Sequence, residues 1–349
     1  MLDGIDKTFN RVSRYGSAVG RVMVRESTLL SRQEVDRMLY PDYDEALGVA
    51  YDTAYGPYIE HARVAADIES GLERFLQDQY SFLEDASKGQ PVARFMQMKY
   101  DFHNLKVLAK KFFVGGDLQE HLFSKLASVS LESLDRAIQG VGSSPIPVYL
   151  QKAVDLVRQA ARKGELDSQE IDTIVDRAFL EERLRIAKRE RSRPLERYCR
   201  AAIDVANMMV MLRGMRLGKS SAFYELALVD GGTFTRSELR ALTGRSFAEV
   251  TARLLRSRFG RLVADALDKG DERVRLTSLD RATDDYLMEK IAGFSSVSVG
   301  PERIIRYMIM RENEVAMLRI IFVGKLNSLS PAVIESRLPM ENFRVRSGQ

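Results

Sequence analysis

Three stretches decide the fold: Asn104-Leu-Lys-Val-Leu-Ala-Lys110, Asn207-Met-Met-Val-Met-Leu-Arg213 and Asn313-Glu-Val-Ala-Met-Leu-Arg319. Each is an apolar run opened by asparagine and closed by a basic residue six positions later. The asparagines stand 103 and 106 residues apart. Glycine follows eleven positions after each one (Gly115, Gly218, Gly324), and lysine twelve positions after two of them (Lys219, Lys325). The flanking residues have helical period. Phe102, Leu105, Leu108/Ala109 and Phe112 share one face, as do Ala202, Val205, Ala206, Met209 and Leu212, and Ile304, Met308, Val315, Leu318 and Phe322. A pattern that returns every hundred residues or so is an internal repeat. It predicts an all-α chain of three pseudo-repeated helical units: residues 1–128 with an N-terminal extension, 129–231 and 232–349.

Working outward, each apolar run is preceded by an Asp-x-Ala anchor: Asp52-Thr-Ala54, Asp176-Arg-Ala178 and Asp280-Arg-Ala282. The aspartates are expected as caps or first-turn acids that open a helix. Each run is followed by a helix start, at Ser130-Leu-Glu, Thr235-Arg-Ser-Glu and Ser330-Pro-Ala. Pro147, Pro194, Pro301 and Pro331 are expected at helix boundaries. Connections are expected at Gly115-Gly116-Asp117, over Gly140 to Pro147, at Asp230-Gly231-Gly232 and at Lys269-Gly270-Asp271. Alternating apolar and polar runs are nearly absent, which leaves room for a short pair of strands at most.

Asn104, Asn207 and Asn313 read as architectural residues. A polar group on an apolar helix usually satisfies a neighbouring backbone group or sets register. The glycines read as helix C-caps in a left-handed conformation, with Lys110, Arg213 and Arg319 near the negative end of each helix dipole. The same three cations, together with Lys219 and Lys325, are the candidate partner-binding residues. Repeated at one place in each unit, they are expected to be carried to one end of the molecule, where they would attract an acidic partner.

The 349 residues allow two or three cores, and 45% hydrophobic with 29% charged residues is ordinary for a globular chain. Lys and Arg number 53 against 49 for Asp and Glu, too small an excess to predict a nucleic-acid or membrane surface. The single Cys199 excludes an intrachain disulfide framework and fits a reducing compartment. Apolar runs stay far short of the ~20 residues a spanning helix needs. The N-terminus, crowded with Asp3, Asp6, Lys7 and Arg11, lacks a signal-peptide core.

No reaction centre is expected. Gly218-Lys219-Ser220 imitates the end of a phosphate-binding loop, but Arg213 stands where that motif needs glycine and an amphipathic helix, not a strand, leads in. His61, His103 and His121 have no metal-ligand spacing, so neither a metal nor a cofactor is expected. Glu181 and Glu182, beside Arg183 and Arg185, read as a solvated face rather than a catalytic pair. Two basic clusters remain, one spanning Lys188, Arg189, Arg191, Arg193, Arg197 and Arg200, the other Arg253, Arg256, Arg258 and Arg261. Aromatic residues that could stack bases are sparse there, only Tyr198 and Phe259, which argues against a nucleic-acid partner.

The third unit carries a longer signature: Leu279-Asp280-Arg281-Ala282, Gly300-Pro301-Glu302-Arg303-Ile304-Ile305-Arg306-Tyr307, Glu312-Asn313-Glu314-Val315, and Leu318-Arg319 through Ser330-Pro331. It closely resembles the C-terminal part of the C subunit of V-type and A-type ATPases, whose eukaryotic vacuolar relative is the d subunit. Thr53-Ala54-Tyr55-Gly56, Asp101-Phe102-His103-Asn104-Leu105-Lys106 and Ile203-Asp204-Val205-Ala206-Asn207 extend the resemblance more weakly over nearly the whole chain. Met310 departs from it, standing where the first two units have Asp101 and Asp204.

The resemblance implies a pseudo-three-fold, funnel-shaped helical bundle with no active site, no cofactor and no direct nucleotide. It implies a central-stalk position on the cytoplasmic face of the membrane, between the D- and F-type shaft subunits of the ATPase head and the rotor ring of proteolipid subunits. There the protein would pass rotation between ATP chemistry and ion transport. The alternatives are a basic helical nucleic-acid-binding protein and a helical adaptor; the first predicts steep salt dependence on a polyanion.

Overall fold

The computed structural model describes residues 2–115, 122–141, 145–164, 166–266 and 276–339. Within them every regular element is a helix and none is a strand. In chain order these are α1 (Leu2–Glu26), α2 (Arg32–Leu39), α3 (Tyr43–Tyr51), α4 (Gly56–Ile59), α5 (Ala65–Ala86) and α6 (Val92–Phe113). There follow α7 (Leu131–Gln139), α8 (Val148–Ala161), α9 (Ser168–Arg189), α10 (Arg193–Arg216), α11 (Ser221–Ala227) and α12 (Arg236–Arg240). The last are α13 (Phe247–Leu255), α14 (Gly260–Ala266), α15 (Leu276–Ala292), α16 (Pro301–Leu326) and α17 (Pro331–Arg337). Among the described residues no helix is long and apolar enough to cross a membrane. The helices gather into two compact units, residues 1–96 with 291–349, and residues 97–290.

The first unit is built on α16. Ile304, Ile305, Tyr307, Met308, Val315, Met317, Leu318, Ile321 and Phe322 are all buried, so the helix is apolar on more than one side. Accordingly α1, α3, α5 and α17 pack around it. Gly324, expected as a C-cap, instead lies inside α16. A Cβ there would stand 2.9 Å from Ile334 Cγ1, so the glycine is there to let α17 close on the helix.

The second unit centres on the antiparallel pair α9 and α10, with α8 against α9. One face of α10 contributes Val205, Met208, Met209 and Leu212 to a core shared with Val250, Leu254, Phe259 and Val263. Another face sets Met211 against Tyr224, Leu228 and Leu239. The unbranched, soft methionine side chains suit a helix that must fill two differently shaped cores. Gly115 and Gly218 do adopt the left-handed conformation expected of them (φ 87° and 61°). Lys219 N–H then returns to Gly214 O at 2.9 Å, closing α10.

Helix punctuation follows the sequence in part. Ser130 and Thr235 cap α7 and α12, and Pro301 and Pro331 open α16 and α17. The Asp-x-Ala anchors do not open helices. Asp52 ends α3, while Asp176 and Asp280 lie inside α9 and α15. An aspartate serves equally well as a cap or on an exposed helix face, so residue type alone does not locate the start. Asp167, not Asp176, caps α9, with Glu170 completing a capping box. The connections placed at Gly116-Asp117 and Lys269-Gly270-Asp271, and residues 142–144 of the Gly140 to Pro147 stretch, lie outside the described residues.

Candidate partner-binding residues

Asp101 and Asn104 are one helical turn apart, as are Asp204 and Asn207, so each pair faces one direction from an otherwise apolar helix. In α6 the Asn104 amide donates from Nδ2 to Ser124 O and accepts at Oδ1 from Ser124 N, both at 2.9 Å. In α10 the Asn207 amide does the same with Val229, at 2.9 and 2.8 Å. Asp101 Oδ1 accepts from Ser128 N at 2.7 Å and Val129 N at 3.0 Å, while Oδ2 accepts from Ser128 Oγ and Tyr149 OH. Asp204 accepts equivalently from Thr233 N at 2.8 Å, Phe234 N at 3.1 Å and the Thr233 hydroxyl. All four side chains are buried. Each pair therefore clasps a loop that leads into a later helix, α7 in the first case and α12 in the second, supplying acceptors to backbone N–H groups that no ladder serves. Two residues after the clasped Ser128 or Thr233 come the caps Ser130 and Thr235 of the next helix.

The third helix departs from this pattern at the acid. Met310, buried, stands in its place, Asn313 is half-buried, and the buried charges of α16 lie at other positions. The buried polar groups of α16 include Arg311 and Glu314, a pair that the repeat pattern does not single out. Arg311 Nη1 donates to Glu314 Oε2 at 2.9 Å, and Glu314 also accepts from Tyr55 OH at 2.7 Å and Leu30 N at 2.6 Å. Arg311 reaches Thr28 O, Arg25 O and Tyr307 OH as well. Burial pushes the Glu314 carboxyl up, against the pull of Arg311 and the Tyr55 and Leu30 hydrogen bonds. Burial likewise raises the Tyr55 hydroxyl. The signal in the sequence is slight: an arginine and a glutamate three apart, set among Met308, Met310, Val315 and Met317.

The five candidate cations all have internal partners. Lys110 Nζ meets Asp172 Oδ2, Arg213 Nη2 meets Asp280 Oδ1, and Arg319 Nε meets Glu69 Oε2, each at 2.7 Å. Lys219 Nζ donates to Gln169 Oε1 and lies 5.5 Å over the Phe223 ring. Lys325 Nζ donates to Leu39 O at 2.8 Å and to Pro41 O, and burial lowers its pKa. Side chains at positions 110, 213 and 319 stay 34–51% exposed, so each ion pair contributes under about 1 kcal/mol. The pairing follows chain order. The cation on α6 pairs with α9, that on α10 with α15, and that on α16 with α5, so each predicted unit reaches an acid of the next and the third reaches the first.

The remaining candidates are structural. Glu181 pairs with Arg177 on an exposed face as expected, whereas Glu182, expected on the same solvated face, is buried and takes the Arg185 guanidinium as its partner. Cys199 is buried, and burial pushes its thiol up to about 11. Among the described residues no three His, Cys, Asp or Glu side chains form a metal-binding group; His121 lies outside them. The basic cluster from Lys188 to Arg197 lies at the turn between α9 and α10, largely exposed, with Arg200 held by Glu196 and Gly231 O.

Comparison with known proteins supplies the context. The model of the ATP synthase (C/AC39) subunit family matches residues 18–337. The C subunit of the V-type sodium ATPase of Enterococcus hirae is 27% identical, covering 90% of this chain and 94% of that protein. The C subunit of the A-type ATP synthase of Halorubrum lacusprofundi is also 27% identical, over 92% and 96%. That of Methanocaldococcus jannaschii is 24% identical, over 96% and 88%.

Proposed function

The chain belongs to the ATP synthase (C/AC39) subunit family, and we propose that it is the non-catalytic central-stalk part of a rotary V/A-type ATPase or ATP synthase. In this reading it forms a socket on the cytoplasmic face of the membrane. The socket takes the tip of the D- and F-type central shaft and rests on the proteolipid rotor ring, passing rotation between them. The observation that carries the reading is the extent of the family match, which runs from residue 18 to residue 337, through all three predicted units.

Two features support it. A part that transmits torque needs stiffness, and the polar groups buried in α6, α10 and α16 fix loops and helices to one another. The pseudo-three-fold funnel, with units 1–128, 129–231 and 232–349, is supported by the pairing order of Lys110, Arg213 and Arg319. A three-fold arrangement requires each unit to meet the next and the last to meet the first. In this reading Lys110, Arg213 and Arg319 offer half-exposed charge to an acidic partner, with Lys219 and Lys325 as further contacts, and they act chiefly on association rate.

The experiment is co-purification. Washed native membranes are solubilised and the complex is captured through a tag on this chain. Recovery of both the nucleotide-binding head subunits and the proteolipid ring supports the reading. Recovery of neither, with the chain left in the wash, overturns it.

A further inference from the structure

The ends of α6, α7 and α8 leave a cleft of about 330 Å³. Phe112, Phe113, Ile138 and Ala161 supply its apolar lining, and Gln139, Arg158 and Arg162 its polar lining. Phe112 belongs to the apolar face of α6, yet it is 50% exposed. Its ring lies edge-on to that of Phe113, with centroids 4.9 Å apart. An aromatic residue left open on an otherwise buried helical stripe marks a surface waiting for cover.

The Arg158 guanidinium lies against the end of α7. Gly140, which ends α7 with φ 73°, has no side chain on the face that the guanidinium occupies, and a Cβ there would stand 2.3 Å from Arg158 Nη2. Glycine is thus required twice at this position, for the left-handed turn and for the close approach of Arg158. The guanidinium lies at the C-terminal end of α7, where the helix dipole favours a cation. Among the described residues neither Arg158 nor Arg162 meets a carboxylate. A half-buried guanidinium is a planar fork of donors that matches a carboxylate. Here it borders an apolar slot with room for one large side chain.

We infer that this cleft is a docking pocket for a partner-subunit segment in which a bulky apolar side chain stands next to a carboxylate. That the partner is another part of the ATPase rests on the proposed function; the pocket's chemistry does not. Exposed Lys111 and Lys163 add to the positive surroundings and favour an acidic segment over a basic one.

The test has two arms. In the first, the full chain with 13C-labelled isoleucine and alanine methyl groups is titrated with 3-phenylpropionate, 3-phenylpropanol and acetate. Phenylpropionate is expected to shift the Ile138 and Ala161 methyls saturably and to bind at least about five-fold more tightly than either control, since it alone engages both slot and guanidinium. Arg158→Gln is expected to remove that advantage while leaving phenylpropanol binding unchanged. Equal affinity for propionate and propanol, or no shift at these methyls, overturns the proposal. In the second arm, Gln139→Cys places a thiol at the rim, the buried Cys199 remaining silent near neutral pH. Labelling of position 139 by a maleimide is expected to be rapid in the free chain and strongly slowed in the captured complex. A variant that co-purifies with the complex but labels at the free-chain rate overturns the pocket without touching the proposed function. Failure to co-purify at all counts against the proposed function instead, and the first arm then decides the pocket alone.

Discussion

Helices α10 and α16 occupy the same place in the repeated pattern, and they handle buried polar groups differently. In α10, Asp204 and Asn207 turn outward from the apolar faces to clasp the loop at 229–234. In α16 the matching positions are Met310 and Asn313, and the buried ion pair is instead Arg311 with Glu314, bound to one another and to Tyr55, Leu30 and Thr28. The difference lies in the residue at the acid's register. In α10 an Asp with an Asn one turn on supplies acceptors to loop N–H groups that no helix serves. In α16 the same register holds the buried Met310, which offers no such acceptor. What replaces it is a self-compensating ion pair inside the unit that α16 organises.

The comparison breaks most visibly at Arg311. Arg311→Met strands the Glu314 carboxylate in the core and is expected to destabilise the chain by about 3–5 kcal/mol in urea denaturation, whereas Arg311→Met with Glu314→Leu should recover most of that loss. Met310→Asp tests the converse. If a loop stands ready to be served by the acid, the change should be tolerated; because Met310 is buried in an apolar stretch of the helix, a loss of about 3 kcal/mol or more is expected. Asp204→Ala should cost roughly 2–3 kcal/mol by leaving two backbone N–H groups and a hydroxyl without acceptors. Amide exchange should then accelerate at Thr233 and Phe234 and not in α16, and uniform acceleration across both would show that the clasp is not local.

The remaining effects are small. Glutamine at positions 110, 213 and 319 together should lower stability by no more than about 1 kcal/mol per pair removed, with the loss shrinking as salt is raised. A slower association with the stalk at low salt, at unchanged melting temperature, would assign these residues to the partner. The smallest concerns Glu238 and Glu249, whose carboxylates are held below the usual glutamate range by N-terminal N–H donors, Thr235 and Ser246 respectively. A depressed folded value means that their contribution is complete above the ordinary glutamate pKa and disappears as pH falls through the folded one. Carboxyl 13C titration should place both midpoints below that of a free glutamate, with α13 fraying only in that acid range.

Much of the fold was legible in the chain. Helical class, the three apolar helices, the caps at Ser130 and Thr235, and the proline starts all follow from local rules: period, capping chemistry and a missing N–H. The glycines show where local rules end. Gly115 and Gly218 are C-caps, but Gly324, in the same register, is a packing glycine, and the sequence around it does not tell a left-handed turn from a close helix crossing. The Asp-x-Ala anchors recur in register without marking helix starts, because Asp280 pairs with Arg213 rather than capping α15.

Of the candidate site, residue types and register were readable and partners were not. The repeat alone singles out Lys110, Arg213 and Arg319 as equivalent, and a match to one ATPase family over most of the chain follows from sequence too. Only tertiary structure decided that each cation holds an acid on a helix distant in the chain, that Lys325 is bound by the carbonyls of Leu39 and Pro41, and that Arg158 rests on Gly140 beside an open apolar cleft. The physical reason is range. Period and capping act within a turn or two of helix and are written into neighbouring residues, whereas a salt bridge or a cleft depends on which distant segments packing brings within a few ångströms.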